Sequence, residues 1–153
     1  MAFAASSDLL TMTISNRVSL ALIAGFFVLA SASGMSVTDA AAHVGTGMIV
    51  LVLAYICFVR GWIGGGDAKL AASVALWLGF EHLLNFLLWA SILGGLLTLL
   101  LLKFRVSPLP AALARQEWLL RLHRMDAGVP YGIALAAAAL LVYPDSFWMR
   151  PLG

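Results

Sequence analysis

Charge is scarce in this chain. Asp, Glu, Lys and Arg make up 10% of its 153 residues, where a soluble domain carries about 25%. With 63% hydrophobic residues and a mean hydropathy of +1.01, the composition is that of an integral membrane protein. Length is short as well, leaving no room for a separate soluble domain, so residues 1–153 read as a single integral-membrane domain. Cysteine is nearly absent: Cys57 stands alone inside an apolar run, which excludes an internal disulfide and a CxxC metal site and leaves a small buried hydrophobe. No basic stripe with interleaved aromatics occurs, so nucleic acid is not an expected partner. No cleavable signal sequence is expected in this stretch, because Met1–Ser7 is too short for a charged region plus an apolar core.

What is present is a succession of apolar runs. The expected fold is all-α, a polytopic membrane helix bundle of about five to six transmembrane or half-spanning helices. Met1–Ser7 reads as the last two turns of a span whose beginning is absent, so the first span is expected to be truncated. Asp8–Asn16 reads as a short interfacial loop, and Val18–Ser36 as a tilted span. Val37–Ala41 reads as a turn carrying Asp39, as a solvated loop residue or an N-cap, before a span over Ala42–Trp62. His43 has no partner at i+3 or i+4 to complete a metal site. A short helix over Ala68–Phe80 precedes Glu81 and His82, which mark the opposite interface or a polar pair between tightly turned helices, and Leu83–Leu102 resumes the apolar pattern. Asn85 and Trp89, four apart, share a helix face and are expected to pack.

Residues 103–128 form the only long polar stretch, read as a cytoplasmic interfacial loop. Within it Ala111–Met125 is expected to be helical, with Trp118, Leu122 and Met125 on one face and a Glu117–Arg121 pair at i, i+4. Val129-Pro130-Tyr131-Gly132 opens a last span over Ile133–Tyr143, with proline suited to a helix start.

One stretch resists a packing explanation. Gly64-Gly65-Gly66-Asp67 lies at the edge of a span, where a triple glycine favours a turn and a buried aspartate is costly. Asp67 reads either as a helix cap or as a functional residue. Asp8 has a similar setting, and charge placement puts the two on one side. If the loops around Arg17, Gly64–Lys69 and 103–128 share a face, eight of nine Lys/Arg (17, 60, 69, 103, 105, 115, 121, 124) lie there and only Arg150 lies opposite. That face is the cytoplasm.

Two carboxylates a few ångströms apart cannot both ionise cheaply, so such a pair holds one proton near neutral pH. The ionised group deprotonates a water while the protonated one donates to a peptide carbonyl, which is aspartic proteolysis and requires no metal, cofactor, cysteine or serine. Lys69 is not a simple neutralising partner of Asp67, since residues i and i+2 point to different helix faces. It reads as a lysine snorkelling to the headgroups or as a tuner of the pair.

These residues also carry a family resemblance. Gly64-x-Gly66-Asp67, followed by Ala68-Lys69-Leu70 and Leu76-Trp77-Leu78-Gly79, resembles the second motif of the aspartic prepilin peptidases, the GxGD type. Asp8 with Ile14, Ser15 and Asn16 resembles the first motif, with Ser15 in place of the usual proline. Val129-Pro130-Tyr131-Gly132-Ile133-Ala134 resembles the start of that family's last helix. The short form without a cysteine-rich amino-terminal domain resembles the CpaA/TadV branch serving Flp-type (tight-adherence) pili. The resemblance implies Asp8 and Asp67 as the catalytic pair, supported by Gly64, Gly66, Lys69, Asn16, Pro130, Tyr131 and Gly132. It also implies a Flp-type prepilin substrate with a short basic leader, cleaved at the cytoplasmic face of the bacterial inner membrane beside the pilus assembly machinery. Two alternatives remain. One is another GxGD intramembrane protease, a type whose first Asp normally follows Tyr where Ser7 stands here. The other is a truncated, non-catalytic membrane subunit of a pilus or secretion machine.

Overall fold

The computed structural model describes residues 1–110 and 115–149, all of them in helices, turns and short connections. The elements are α1 (Ala2–Thr11), α2 (Asn16–Ala32), α3 (Val37–Val59), α4 (Gly65–Val106), α5 (Glu117–His123) and α6 (Tyr131–Val142), closed by a 3-10 turn at Tyr143–Asp145. The all-helical expectation holds, and the boundaries move for identifiable reasons. Helix α1 continues through Asp8, so that residue is helical and does not open a loop. Helix α3 starts at Val37, five residues before the expected Ala42, because Ser36 caps it. The Ser36 hydroxyl accepts from the Asp39 amide at 3.0 Å and donates to the Asp39 carboxylate at 2.7 Å, so Asp39 belongs to the helix's first turn.

Helix α4 is the organising element. A straight helix of 42 residues is about 60 Å long, yet its two ends lie near each other. Gly66 lies against Ile14 near one end, while Arg105 at the other bonds the carbonyls of Leu122 and Gly128, just before α6. The chain doubles back at Gly79, whose backbone (φ 68°, ψ −179°) is not helical. This reversal falls two residues before the Glu81-His82 pair that marked it in the sequence. The arm over residues 65–78 is about 20 Å long, a half-span, and residues 80–106 reach about 40 Å.

A reversal leaves the last carbonyls of the first arm without helical partners, a serious cost at membrane depth. Side chains answer two of them. His43 Nδ1 lies 2.8 Å from the Leu76 carbonyl, and Trp148 Nε1 donates to the Trp77 carbonyl at 2.8 Å. Trp77 Nε1 in turn donates to Leu22 O at 2.9 Å, tying α2 to the same corner. A Cβ at Gly79 would sit 2.8 Å from His43 Cε1, so this position demands glycine for both its φ and its neighbour. His43 therefore belongs to the corner's hydrogen bonding.

The first arm packs Leu70, Val74 and Leu78 against Ala4, Phe86, Ala138, Ala139 and Val142. Alanines on α6 allow close approach of backbones, which is what holds helices together where burial from water provides no drive. Large apolar side chains elsewhere face outward, among them Leu20, Phe27, Val28, Ile49, Leu53, Leu84, Leu88, Ile92, Leu99 and Leu100. Helices α3 and α4 are long and apolar enough to cross a membrane by length and composition. Asn85 and Trp89 share an exposed face here and do not pack inward as expected.

The polar stretch after α4 is shorter than anticipated. Lys103 and Arg105 sit in the last turn of α4, and α5 covers Glu117–His123 of the expected 111–125 helix. Residues 111–114 and Arg150 lie outside the described residues. Leu122 is buried, Trp118 half-buried and Met125 exposed beyond the helix end. Arg121 donates to the Leu10 carbonyl at 2.9 Å, and no Glu117–Arg121 ion pair forms among the described residues. Arg105 is buried, giving Nε to Leu122 O (2.9 Å) and Nη2 to Gly128 O (2.7 Å).

Candidate active site

Four helix ends meet where the motifs meet. Asp8 lies near the end of α1, which closes when Met12 turns left-handed (φ 52°) and its amide bonds Asp8 O at 2.8 Å. The Asp8 side chain points inward and is 4% exposed. Its Oδ2 accepts from the Gly132 amide at 2.7 Å, across 124 positions of sequence. That amide belongs to the first turn of α6, where free N–H groups and the helix dipole favour a carboxylate. A Cβ at Gly132 would fall 2.7 Å from both Asp8 Oδ2 and Ile14 Cδ1. The approach requires glycine.

The neighbours of Gly132 fix that approach. Pro130 precedes α6 and is fully buried. Tyr131 sets its ring against Gly94, where a Cβ would lie 2.8 Å from Cε1, and its hydroxyl is 3.2 Å from Thr98 Oγ1. Gly94 and Thr98, four apart, form a seat for the tyrosine on the second arm of α4.

Asp67 is the third residue of α4, half-buried, with Gly64 at the N-cap. Its carboxylate reaches back toward the Gly64 amide, as an acid at the third helical position does in a capping box. Asp67 and Asp8 lie close enough to act on each other electrostatically. Gly66 lies against Ile14, which also touches Gly132, so Ile14 separates the glycine turn from the start of α6. Lys69 turns away from the aspartates: its Nζ donates to Asn16 Oδ1 at 2.8 Å. All nine residues singled out in the sequence thus gather at one end of the bundle, and Lys69 serves as a tie between the first two motifs. Ile14 was visible in the first motif without a role. Gly94, Thr98, Arg105 and Arg121 were not legible as site supports, since each acts through a partner distant in sequence. Arg124 and Asp126 form an exposed pair at 2.6 Å, and that hydrogen bond holds the Asp126 carboxyl below the usual carboxylate range.

A helical membrane protein with two carboxylates converging at one end is the class that fold and site define. The type IV leader peptidase family model matches residues 1–99, which include both aspartates and the glycine turn. The chain belongs to that family, and it is a membrane peptidase whose substrate class is the prepilin. No curated protein and no solved structure matches it.

Proposed function

We propose that this chain is an aspartic endopeptidase that removes the short basic leader from Flp-type prepilins at the cytoplasmic face of the bacterial inner membrane, with Asp8 and Asp67 as its catalytic pair. A single observation carries this reading: two aspartates 59 positions apart converge at one end of the bundle, Asp67 in the first turn of α4 and Asp8 on the amide of Gly132 in the first turn of α6. The residues 1–153 act as one domain, and α5 with the polar residues that follow it, 117–128, lies at the membrane surface.

The chemistry follows from a shared proton. The ionised carboxylate takes a proton from water as its oxygen attacks the scissile carbonyl carbon, and the protonated carboxyl gives its proton to the carbonyl oxygen. A proton then passes to the amide nitrogen, the C–N bond breaks, and a leader carboxylic acid and a pilin amine leave. Gly132 holds one carboxylate in place and the capping turn at Gly64 holds the other, so neither must reorganise as charge develops. Asp67, the more exposed of the two, is where water and an extended peptide enter the pair.

Co-expression with a Flp-type prepilin tests this by the mass of the pilin. The leader is expected to be lost with the parent chain and retained with Asp8→Asn or Asp67→Asn, both variants remaining in the membrane fraction. Processing that survives either change overturns the assignment and favours aspartates that only cap helices.

A further inference from the structure

On the opposite side of the first α4 arm from the aspartates, a groove of about 410 Å³ runs between α2, α3 and that arm. Its mouth is polar, formed by Asn16 and Lys69, and its body is apolar, formed by side chains such as Ile23, Phe27, Met48 and Leu51. Helix α2 packs mainly on α4, so the groove stands where α2 and α3 fail to close on each other. Ser19, one turn below Asn16, lines it. Its hydroxyl is buried and has no hydrogen-bond partner, unlike Ser73 across the groove, which donates to the Lys69 carbonyl at 2.8 Å. An unpaired buried hydroxyl is unfavourable and marks a partner yet to be supplied.

We infer that this groove is a binding site for one anionic glycerophospholipid of the surrounding bilayer. Three features select that ligand. Lys69 spends one of its three N–H donors on Asn16 and keeps two for a phosphate. Ser19 lies one helical turn deeper, and once its shielded hydroxyl turns about χ1 toward the groove, the ester carbonyl below a phosphate accepts its proton. Beyond Ser19 the lining is apolar down to Phe27 and Leu76, which suits an acyl chain. Basic recesses between helices near the cytoplasmic surface are general sites for anionic headgroups. An apolar peptide helix fits the body but brings no anion for the mouth. The lipid completes the contact between α2 and α3 and does not touch the aspartates, which do not line the groove.

Native mass spectrometry of the delipidated protein in nonionic detergent, with added phosphatidylglycerol or phosphatidylcholine, tests the site without reference to peptidase activity. The parent chain is expected to retain one phosphatidylglycerol under activation that strips phosphatidylcholine. Ser19→Ala is expected to lower retention several-fold. Met48→Trp, placing bulk in the groove from its half-exposed side, is expected to abolish it, and Lys69→Gln to remove the preference for the anionic headgroup. Ser19→Ala decides the matter if the tryptophan variant does not fold. Retention unchanged in Ser19→Ala, or a photo-crosslinker at Leu20 that captures prepilin in place of lipid, overturns the proposal.

Discussion

At the scale of the residue, the site depends on glycine as much as on aspartate. Gly132 lies against Asp8, and a methyl group there would fall 2.7 Å from Oδ2, which leaves it no room. Gly132→Ala is therefore expected to displace the Asp8 carboxylate by about an ångström and lower cleavage about 100-fold, the loss that such a misplacement produces. Circular dichroism should show unchanged helix content, and a variant that cleaves within threefold of the parent would remove Gly132 from the site. Asp67 was legible in the sequence because a carboxylate at a membrane-span edge has few structural excuses. Its reach back to Gly64 is the helix-cap reading of that residue, and it leaves the carboxylate beside Asp8. The aim of Lys69 at Asn16 was not legible, since periodicity says which face a side chain occupies and not which partner lies there.

At the scale of the element, two devices hold the site's helices in place. The first is the reversal at Gly79, where φ is +68° and the His43 ring occupies the space a side chain would need. Gly79→Ala is expected to cost about 1–3 kcal/mol from the positive-φ backbone alone, more with the clash, and to lower the unfolding midpoint in detergent. An unchanged midpoint would show that the corner relaxes freely. The second device is Arg105, a buried guanidinium whose two bonds fix Leu122 and Gly128, four residues before the Asp8 contact. Arg105→Met strands the carbonyl of buried Leu122, at about 1–3 kcal/mol, and releases that of exposed Gly128 to water at less. If Arg105 acts by placing the start of α6, its effect on cleavage should be much less than additive with Gly132→Ala. Independent, multiplying effects would make it a purely structural residue. Element existence was readable from apolar runs, whereas boundaries were not. The Ser36–Asp39 box began α3 five residues early, and α1 ran through Asp8, because a cap or a left-handed residue sets an end more firmly than composition does.

At the scale of the whole molecule, the bundle is asymmetric end to end. One end gathers the glycine turn, both aspartates, Arg105 and Arg121. The other gathers Phe26, His43, Trp77 and Trp148 around the reversal, with ring centroids 5.0–6.5 Å apart. The doubled-back α4 makes this possible, since one element supplies Asp67 at its start, the Tyr131 seat in its second arm and Arg105 at its finish. Membrane character and the convergence of motifs were legible from composition and charge placement. The reversal's hydrogen bonding was not, because it depends on Trp148 meeting Trp77 from 71 positions away. The central claim is that Asp8 and Asp67 act as one unit, and a kinetic cycle tests it most directly. Cleavage of a synthetic Flp-type prepilin by the purified parent, Asp8→Asn, Asp67→Asn and the double variant should give three variants at the same background rate, since either loss already removes the whole pair. A double variant slower than both singles by the product of their effects would contradict the pair, and would leave two independent helix-end carboxylates in its place.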